Sequence, residues 1–397
     1  MKVCDINNLY SPTGGGVRTY HEAKLRWFAA REDVDYALIV PGPARKVEQI
    51  GRATRIEVPG LPLGRSGYRS ILHANDLTWA LGLVQPDLIE LGSVYTLPRH
   101  VRTALRRLGR LEATALVGFY HADYPDTYVR PYAQRLGKGV GRWATSFAER
   151  HCGRAYGQLS ATFGASQYVV DKLAAFGVTR LFRTPLGVDT DRFHAGADAA
   201  RSGLGPRTAP LRLLYLARLA PEKGIDLLLR AYPAFRDPAR FELVIGGKGP
   251  LEGSVERFIR LFPEVRRLPY LTSPEAVAGA FAASDLVIQP GPYETFSLAT
   301  LEALATGAAV VTADAGGAAE LAREFGGETF SSGSSEALAG AVLRWADSPA
   351  RLSPIERAAA VSSRYSWEAV FTRMLGHYGE IVAAQRAGHA QLSNADP

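Results

Sequence analysis

Two glutamates in one short segment are the residues best suited to chemistry. Glu294 and Glu302 lie within Gly291–Gly307, which reads GPYETFSLATLEALATG. Glu294 falls in a loop rich in Pro and Gly, whereas Glu302 falls in a stretch of Ala and Leu that is typical of a helix. A helix that begins between them offers free backbone N–H groups and the positive end of its dipole. Because an anion would repel both carboxylates, we expect a phosphate at the helix start and neutral hydroxyl groups at the glutamates.

Short apolar stretches on both sides of this segment predict parallel strands. Leu286–Ile288 precede it, and Val310 and Val311 follow it. In open α/β sheets, ligands bind at the carboxyl ends of the strands, beside helix N-termini. Ser297 is a suitable N-cap for the predicted helix, and Gly307 is a suitable stop. A nucleotide sugar has hydroxyl groups on both sides of its phosphates and fits this pattern, but an ordinary solvated helix with two glutamates fits the spacing equally well.

Two further segments carry groups that bind phosphate after predicted strands. Arg218 and Lys223 lie in YLARLAPEKGIDLLLRAY at 215–232. Arg forms bidentate contacts with phosphate, and Lys acts as a point charge. In FELVIGGKGPLE at 241–252, Gly247 and Gly249 would let the backbone approach a ligand closely. A surface Arg and Lys around a turn is the alternative interpretation.

The N-terminal end has a glycine-rich turn of its own. A predicted strand at Val3–Ile6 leads to Gly14–Gly16, which would open a helix. Glycines at a helix start permit close approach of the backbone to a phosphate or a sugar, and Arg18 could contact an anion. The dinucleotide fingerprint GxGxxG is excluded, because Thr19 stands where its third Gly belongs.

The bulk composition is that of a globular, intracellular protein. The chain has 397 residues, of which 47% are hydrophobic and 21% are charged. It has no apolar run of the roughly 18 residues that a spanning helix needs, and no signal-peptide core. Cys4 and Cys152 lie in different predicted elements, which argues against a disulfide scaffold or a zinc site. We therefore expect a cytoplasmic chain with reduced, buried thiols.

Strand and helix patterns alternate along the whole length, which predicts a parallel α/β architecture. A polar connector rich in Gly, Ala and Pro begins at about residue 186 and gives the domain boundary. We expect an N-terminal domain over 1–185, a second domain over 186–365 and a helix over 366–385. The last residues, 386–397, are expected to be disordered.

The segment with the two glutamates resembles the E-x7-E signature of retaining glycosyltransferases with the GT-B fold, the group 1 enzymes of family 4. The segment at 215–232 resembles the family's strand–GRL–x3–KG–helix element, with Ala217 in place of the usual Gly. TPLGVDTDRFHA at 184–195 resembles its NGVD-x3-F element, with Leu186 where Asn is common. The resemblance implies two Rossmann-like domains that face each other across a cleft, and a terminal helix that crosses back to the first.

The resemblance also implies roles for particular residues. Glu294 would contact the transferred sugar, and Glu302 the ribose of the nucleotide. A His often follows the strand that corresponds to 116–120, so His121 would lie near the sugar and could hydrogen-bond the sugar or stabilise developing charge. A lone His at a strand end is usually structural. Asp123 could orient His121, bind the acceptor or cap the following turn.

The resemblance implies three sets of site residues. Catalytic residues are His121, Glu294, Arg218 and Lys223. Donor-binding residues are Gly15, Gly16, Arg218, Lys223, Gly247, Pro269, Tyr270, Leu271, Glu294, Thr295, Phe296, Ser297, Leu298 and Glu302. Acceptor-side residues are Gly15, Arg18, His121 and Asp123.

The implied activity is transfer of a hexose from a nucleotide-diphosphate sugar with retention of configuration. GDP-mannose is the first expectation, because the PGPYETF loop resembles that of bacterial mannosyltransferases, and UDP-glucose is the second. The acceptor would be a glycan, a glycolipid or a small molecule. No cofactor and no essential metal are expected, and Asp189–Asp191 are rejected as a metal motif because they belong to the NGVD-like element. A sugar-nucleotide epimerase and a non-catalytic nucleotide- or membrane-binding module are the alternatives.

Positive charge is concentrated in the first half of the chain. Residues 1–190 have 25 Lys and Arg against 16 Asp and Glu, whereas the remainder has 21 against 23. Residues 97–113, LPRHVRTALRRLGRLEA, predict a basic amphipathic helix. Such helices occur at anionic membrane surfaces, here the inner face, and also as ordinary solvated helices on a sheet. No nucleic-acid-binding motif accompanies the basic residues.

Overall fold

The computed structural model describes residues 1–8, 10, 15–63, 68–93, 96–130, 133, 135, 137–348 and 352–393. Contacts within the chain divide it into two compact units. The first unit comprises Met1–Pro185 with Val370–Pro397, and the second comprises Leu186–Ala369. Strands and helices alternate in both, which confirms the α/β class expected from the sequence.

The described strands of the first unit form a largely parallel sheet and a short ribbon. They are β1 (Lys2–Ile6), β2 (Asp35–Gly42), β3 (Lys46–Ile50), β4 (Ala53–Pro59), β5 (Leu61–Pro62), β6 (Arg69–Ser70), β7 (Leu88–Leu91), β8 (Ala115–Tyr120), β9 (Ala161–Gly164) and β10 (Leu181–Arg183). The sheet has the order β10-β9-β8-β7-β1-β2-β4-β3, and β5 and β6 form the ribbon. Of the described sheet pairings, that of β3 with β4 is antiparallel. Strands β7, β8 and β9 are buried along their whole length, as expected for a sheet covered on both faces.

Helices cover both faces of this sheet. They are α1 (Gly16–Ala29), α2 (Ala74–Val84), α3 (Leu97–Arg107), α4 (Lys138–Gly157) and α5 (Gln167–Ala175), with a π-helical turn at Pro125–Val129. Buried side chains of α2, α3, α4 and α5 share one hydrophobic cluster with the strands. On the other face, the Trp27 ring of α1 lies 5.6 Å from Phe371, in the C-terminal segment of this unit.

The second unit has a parallel sheet in the order β13-β12-β11-β14-β15-β16. Its strands are β11 (Leu211–Leu216), β12 (Phe241–Gly246), β13 (Arg266–Arg267), β14 (Leu286–Gln289), β15 (Ala309–Ala313) and β16 (Glu328–Phe330). Its helices are α6 (Ile225–Phe235), α7 (Glu252–Leu261), α8 (Pro274–Ala282), α9 (Leu298–Ala305), α10 (Gly316–Glu324), α11 (Ser335–Asp347) and α12 (Pro354–Tyr365). Two 3₁₀ turns lie at Ala199–Ser202 and Pro221–Lys223.

The last helix, α13 (Trp367–Ser393), joins the two units in sequence. Its residues from Val370 onward belong to the first unit, which confirms the predicted return of the terminal helix. The expectation of disorder from residue 386 is wrong for 386–393, because α13 continues through them, and residues 394–397 lie outside the described part. The basic helix expected over 97–113 ends at Arg107, and a left-handed residue, Gly109, follows it. Among the described residues, no helix is long and apolar enough to cross a membrane.

Candidate functional site

The predicted donor residues of the second unit follow its central strands. β11 pairs with β12 on one side and with β14 on the other, so the strand order reverses at β11. Arg218 and Lys223 follow β11, Gly247 follows β12, and Glu294 follows β14. A reversal of strand order opens a crevice at the carboxyl edge of a parallel sheet, which is where ligands bind in such folds. The topology therefore gathers residues that are far apart in sequence.

Lys223 and Glu294 are brought together as an ion pair, with the Lys223 Nζ donating to Glu294 Oε1. The side chains are 30% and 20% exposed, so the pair lies at the surface of the crevice rather than in the core. Arg218 is 61% exposed and pairs with Glu222 on the turn that follows it. Lys223, one cation of the predicted diphosphate clamp, thus lies beside the predicted sugar-binding carboxylate, whereas the contact recorded for Arg218 is with Glu222.

Helix α9 begins at Leu298, next to these side chains. Ser297 is its N-cap, as predicted, and the Ser297 Oγ accepts a hydrogen bond from the Thr300 N–H at 3.4 Å. The backbone of Ser297 has φ of 76°, a left-handed conformation that costs free energy in a residue other than Gly. Gly307, with φ of 91°, follows the C-cap Thr306 and ends the helix as predicted. The helix dipole directs partial positive charge toward the loop that carries Glu294.

A glycine pair that the sequence analysis missed holds this loop in place. Gly317 N–H donates to the Glu294 carbonyl at 2.8 Å. A Cβ atom on Gly316 would lie 2.3 Å from that same carbonyl oxygen, and the φ of Gly316 is 75°. The DAGG sequence directly after β15 is a signal that could have been found, since a glycine pair between a strand and a helix often marks close backbone contact.

A pocket of about 560 Å³ opens beside β11 and β12. It is lined by Leu216, Ala217, Arg218, Gly247, Lys248, Tyr270, Leu271, Val277, Phe281, Ala299 and Glu302. Arg218, Gly247, Tyr270, Leu271 and Glu302 were predicted from the sequence. Its volume is in the range of pockets that hold small ligands.

Other residues of the pocket were missed because no sequence pattern distinguishes them. Val277 and Phe281 are apolar residues of α8 that form a hydrophobic part of the pocket wall. Lys248 lies with its Nζ 4.7 Å from the centre of the Tyr270 ring, a cation–π contact at the pocket edge. Of the other predicted donor residues, Pro269 precedes the pocket-lining Tyr270, and Thr295 and Phe296 lead into α9. The Phe296 side chain is buried, so only its backbone is available to a ligand.

The Glu302 carboxyl group lies in the pocket wall, on the first turns of α9. Burial raises the pKa of Glu302 to about 8, and the nearby carboxylate of Asp189 adds to the rise. Asp189 belongs to the NGVD-like element, whose Val188 N–H donates to the Tyr365 carbonyl at 2.7 Å. Glu302 is thus mostly protonated at neutral pH in the unliganded protein, and a partner that donates hydrogen bonds to its charged form would lower its pKa.

The reason for glycine at position 247 differs from the one expected. A Cβ atom on Gly247 would lie 1.8 Å from the Ala217 carbonyl oxygen, and its φ is 117°. The close approach that excludes a side chain is therefore made by the loop after β11, not by a ligand. Gly247 still lines the pocket, so a contact between its backbone and a donor remains a prediction.

The acceptor-side residues lie in the first unit, at the start of α1 and the end of β8. Gly15 is the N-cap of α1, Gly16 is its first residue, and Arg18 is exposed one turn later. Gly14, which opens the predicted turn, lies outside the described residues. The ring of His121, directly after β8, lies 5.0 Å from that of Tyr20 on α1. The two predicted regions are therefore neighbours.

His121 is enclosed by other rings. Its ring stacks on Phe119 at 4.3 Å and lies 5.6 Å from the ring of His21. Burial lowers the pKa of His121 to about 3, and the neighbouring His21 adds to the lowering. His121 is therefore a neutral imidazole at neutral pH, suited to a hydrogen bond rather than to charge stabilisation.

Asp123 contacts the residues around it rather than a ligand. Its Oδ1 accepts from the Tyr120 hydroxyl at 3.1 Å and from the Asp126 N–H at 3.3 Å. Its Oδ2 forms an ion pair with Lys172. Of the three interpretations left open by the sequence, these contacts favour the cap of the following turn, and an acceptor contact by Asp123 stays a prediction.

A buried charged cluster underlies α1, and no sequence pattern announced it. The Lys24 Nζ lies 2.8 Å from Asp5 Oδ2 and 3.2 Å from Glu90 Oε2, and all three side chains are fully buried. Lys24 also donates to the Tyr378 hydroxyl of α13 at 2.7 Å. Buried charges persist only when paired, so this cluster fixes α1 and α13 on the sheet. Both cysteines are buried, as predicted, and they are not joined to each other.

Among the described residues, no group of three or more His, Cys, Asp or Glu side chains is arranged to hold a metal ion. In the Asp189–Asp191 segment, which was rejected as a metal motif, the Asp189 carboxylate lies 3.4 Å from the Arg192 guanidinium group. That catalysis needs no metal stays a prediction.

Family models match segments of both units of this chain. The model for Glycosyltransferase Family 4 matches residues 14–192, and the model for Glycosyl transferases group 1 matches residues 210–348. The GDP-mannose-dependent alpha-(1-6)-phosphatidylinositol dimannoside mannosyltransferase of Mycobacterium tuberculosis (strain ATCC 25177 / H37Ra) is 29% identical over 400 residues, which cover 98% of this chain and 99% of the relative. A GDP-mannose-dependent alpha-mannosyltransferase of Mycobacterium tuberculosis (strain CDC 1551 / Oshkosh) is 30% identical over 349 residues, which cover 84% of this chain and 81% of the relative.

A solved structure shows the same fold at lower identity. The sucrose-phosphate synthase of Thermosynechococcus elongatus superposes with a TM-score of 0.74 at 17% identity, over 97% of this chain and 100% of the other. Its two-domain α/β architecture is the GT-B fold, as the sequence led us to expect. With family models that match both units and relatives aligned over most of their length, the chain belongs to the group 1 glycosyltransferases of family 4.

Proposed function

We propose that this glycosyltransferase moves a mannosyl group from GDP-mannose to an acceptor hydroxyl, with retention of configuration and without an essential metal. The donor is proposed because the relatives above are named for GDP-mannose dependence. The observation that carries the proposal is the crevice of the second unit, where Lys223, Glu294 and the start of α9 adjoin the strand ends beside the Glu302 pocket.

The donor would bind with its base and ribose in the pocket and its diphosphate at the start of α9. Tyr270, Leu271 and the wall formed by Val277 and Phe281 would contact the base. Glu302 would accept hydrogen bonds from the ribose hydroxyl groups, which explains a carboxylate in an otherwise largely apolar wall. UDP-glucose is the second candidate donor, because the contacts expected for the base come chiefly from backbone and apolar groups.

The chemistry requires stabilisation of the leaving group. When the bond between the sugar C1 and the phosphate oxygen breaks, negative charge grows on the β-phosphate. Arg218, Lys223 and the N–H groups that open α9 would stabilise that charge, and preorganised groups of this kind supply several kcal/mol. This cationic set would take the place of a metal ion.

Retention follows if the acceptor hydroxyl attacks C1 from the face that the phosphate leaves. The new C1–O bond forms as the old one breaks, and the acceptor proton passes to the departing phosphate oxygen. No carboxylate base is needed, so Glu294 is assigned to the sugar hydroxyl groups. His121, neutral at physiological pH, would donate or accept one hydrogen bond at the sugar.

A lipid-linked acceptor is our leading expectation, ahead of a soluble glycan or a small metabolite. The relative from Mycobacterium tuberculosis is named for a phosphatidylinositol dimannoside acceptor, and the first half of this chain carries the excess of basic residues. Peripheral contact with an anionic membrane is part of this proposal.

Thermal unfolding with GDP, UDP, ADP, dTDP and NAD in EDTA tests the donor site. A ligand at 100 times its Kd stabilises the folded state by about 2.7 kcal/mol, which raises Tm by several degrees in a protein of this size. A shift with GDP alone is expected. A shift with NAD only, or with no nucleotide, would contradict the proposal. A separate assay of the products formed from GDP-mannose tests the reaction. Release of free mannose and GDP without transfer, or conversion of the donor to an epimer, would favour a different reaction on the same fold.

A further inference from the structure

The outward face of α4 carries an exposed apolar stripe. Val140, Trp143 and Phe147 are 45%, 66% and 58% exposed. The rings of Trp143 and Phe147 lie 5.9 Å apart and nearly parallel, at 20°. Single exposed apolar side chains are common, but a contiguous group with two aromatic rings marks an interaction surface.

The same face of α4 leads into a pocket lined by basic side chains. Arg99, Arg102 and Arg106 of α3 and His151 and Arg154 of α4 line a cavity of about 400 Å³, which contains no acidic side chain. Pro98, Ala155 and Gln158 complete the lining. With about 3.6 residues per turn, Val140, Phe147 and Arg154 recur on one side of α4. The aromatic stripe and the cationic pocket therefore form one continuous strip, the α3–α4 strip.

The arginines of this strip differ from several others on the surface. Arg31, Arg45 and Arg230, for example, pair with nearby aspartates. Within the described part of the chain, Arg99, Arg106 and Arg154 have no carboxylate partner, and Arg102 donates to the Gln158 carbonyl at 2.6 Å. Guanidinium groups that converge without a counter-ion repel one another, and a phosphate group relieves that repulsion through bidentate hydrogen bonds.

The apolar face of α3 cannot itself enter a bilayer. Leu97, Val101 and Leu105 are fully buried in the hydrophobic cluster of the first unit. The basic amphipathic helix predicted from the sequence is thus an ordinary helix packed on a sheet, with its arginines outward. If this face binds a membrane, the apolar contact has to come from α4.

We propose that the α3–α4 strip docks on a bilayer that contains anionic phospholipids. Lipid phosphate groups occupy the arginine pocket, while Val140, Trp143 and Phe147 enter the interfacial region, where Trp and other apolar side chains are favoured. This proposal rests on the proposed function in one respect, the lipid-linked acceptor. Because α4 connects the parallel strands β8 and β9, its first turns lie at the carboxyl edge of the sheet, where His121 and the start of α1 also lie.

Co-flotation of the full chain with vesicles tests this assignment. We expect binding to vesicles of phosphatidylcholine with phosphatidylglycerol, and little binding to phosphatidylcholine alone. The triple variant R99Q/R106Q/R154Q should bind about 100-fold more weakly, since each basic residue near such a surface contributes about fivefold. W143A/F147A should bind about tenfold more weakly through loss of apolar burial. R201Q/R257Q/R260Q, which removes three exposed arginines of the second unit, should lose little.

The same preparations should be tested for the GDP-induced rise in Tm, which reports the folded donor site separately. Unchanged vesicle binding in both strip variants would overturn the proposal, as would equal losses in the strip variants and in the control triple variant. Absence of vesicle binding in the parent chain, with a normal GDP shift, would overturn the membrane surface and leave the proposed transferase standing. Vesicle binding without any nucleotide shift would do the reverse.

Discussion

Lys223 and Glu294 form an ion pair although 71 residues separate them in sequence. The loops that carry them follow neighbouring strands, β11 and β14, so the topology of the sheet creates the contact. The pair places a cation that can hold phosphate beside a carboxylate that can hold sugar hydroxyl groups. When a donor binds, its phosphate would take Lys223 and its sugar hydroxyl groups would take Glu294, in place of the ion pair between them.

We expect Glu294→Ala to lower kcat by about 100-fold or more, because the transferred sugar loses a positioning contact. Lys223→Ala should lower kcat by about 100- to 1000-fold, because charge on the leaving phosphate is no longer neutralised. GDP should still raise the Tm of Glu294→Ala. Glu264→Gln, which breaks the surface pair with Arg236, is the matched control and should leave kcat unchanged. Full activity in Glu294→Ala would exclude its assigned role.

Backbone strain at Ser297 predicts an unusually large difference in stability between the Gly and Ala variants at this position. At an ordinary N-cap, loss of the Ser side chain to Ala costs about 1 kcal/mol, and to Gly a few tenths. At Ser297, Gly also removes the cost of a left-handed φ, so the advantage of Gly over Ala should be larger by about 1 kcal/mol. Ser273, the N-cap of α8 with φ of −113°, is the control. Denaturant unfolding of the four variants gives the comparison, and equal differences at both positions would contradict the strain.

Gly316 should prove essential for the position of Glu294. Gly316→Ala combines a φ of 75° with a Cβ atom 2.3 Å from the Glu294 carbonyl oxygen. Gly333 is the matched control, since its φ is 85° but nothing lies within 4 Å of a Cβ atom there. Both substitutions should lower the free energy of unfolding by about 1 kcal/mol through backbone strain. Only Gly316→Ala should also lower kcat, because the Glu294 loop has to move, and equal kcat values in the two variants would refute this.

Patterns in the sequence were sufficient for several of the elements and for part of the site. Apolar stretches predicted β11 and β14, and Ser297 as an N-cap predicted the start of α9, because such signals are local. Arg218, Glu302 and Tyr270 were found because they lie within recognisable segments.

Long-range packing was not accessible in the same way. Val277 and Phe281 are common apolar residues, and only the fold shows that they line a pocket. The reason for Gly247, contact with the Ala217 carbonyl, depends on two loops that meet in space. The buried Lys24 looks like a surface residue of α1 until Asp5 and Glu90 are placed around it.

The neutral state of His121 leads to a prediction about pH. A histidine with its ordinary pKa would lose a proton near pH 6.5 and give kcat an inflection there. Because burial lowers the pKa of His121 to about 3, kcat at saturating donor should show no such inflection from His121. His121→Gln, which keeps a hydrogen-bonding group, should retain more activity than His121→Ala. An inflection near pH 6.5 that His121→Gln abolishes would show that the imidazole is charged in turnover.

The raised pKa of Glu302 predicts that the affinity for the donor, unlike the effect of His121 on kcat, depends on pH. Its pKa is about 8 without ligand, and hydrogen bonds from ribose hydroxyl groups favour the ionised carboxylate, so its pKa should fall when GDP binds. Binding then releases a proton below pH 8, and affinity should rise with pH, by up to about tenfold per unit, and become constant above about pH 8. Glu302→Gln should bind GDP more weakly and lose this dependence, whereas Glu256→Gln, an exposed residue of α7, should keep it. Calorimetric titration in buffers of different ionisation enthalpy measures both the Kd and the released proton. A Kd that does not change with pH in the parent chain would mean that Glu302 keeps its proton in the complex and contacts the ribose as a neutral acid.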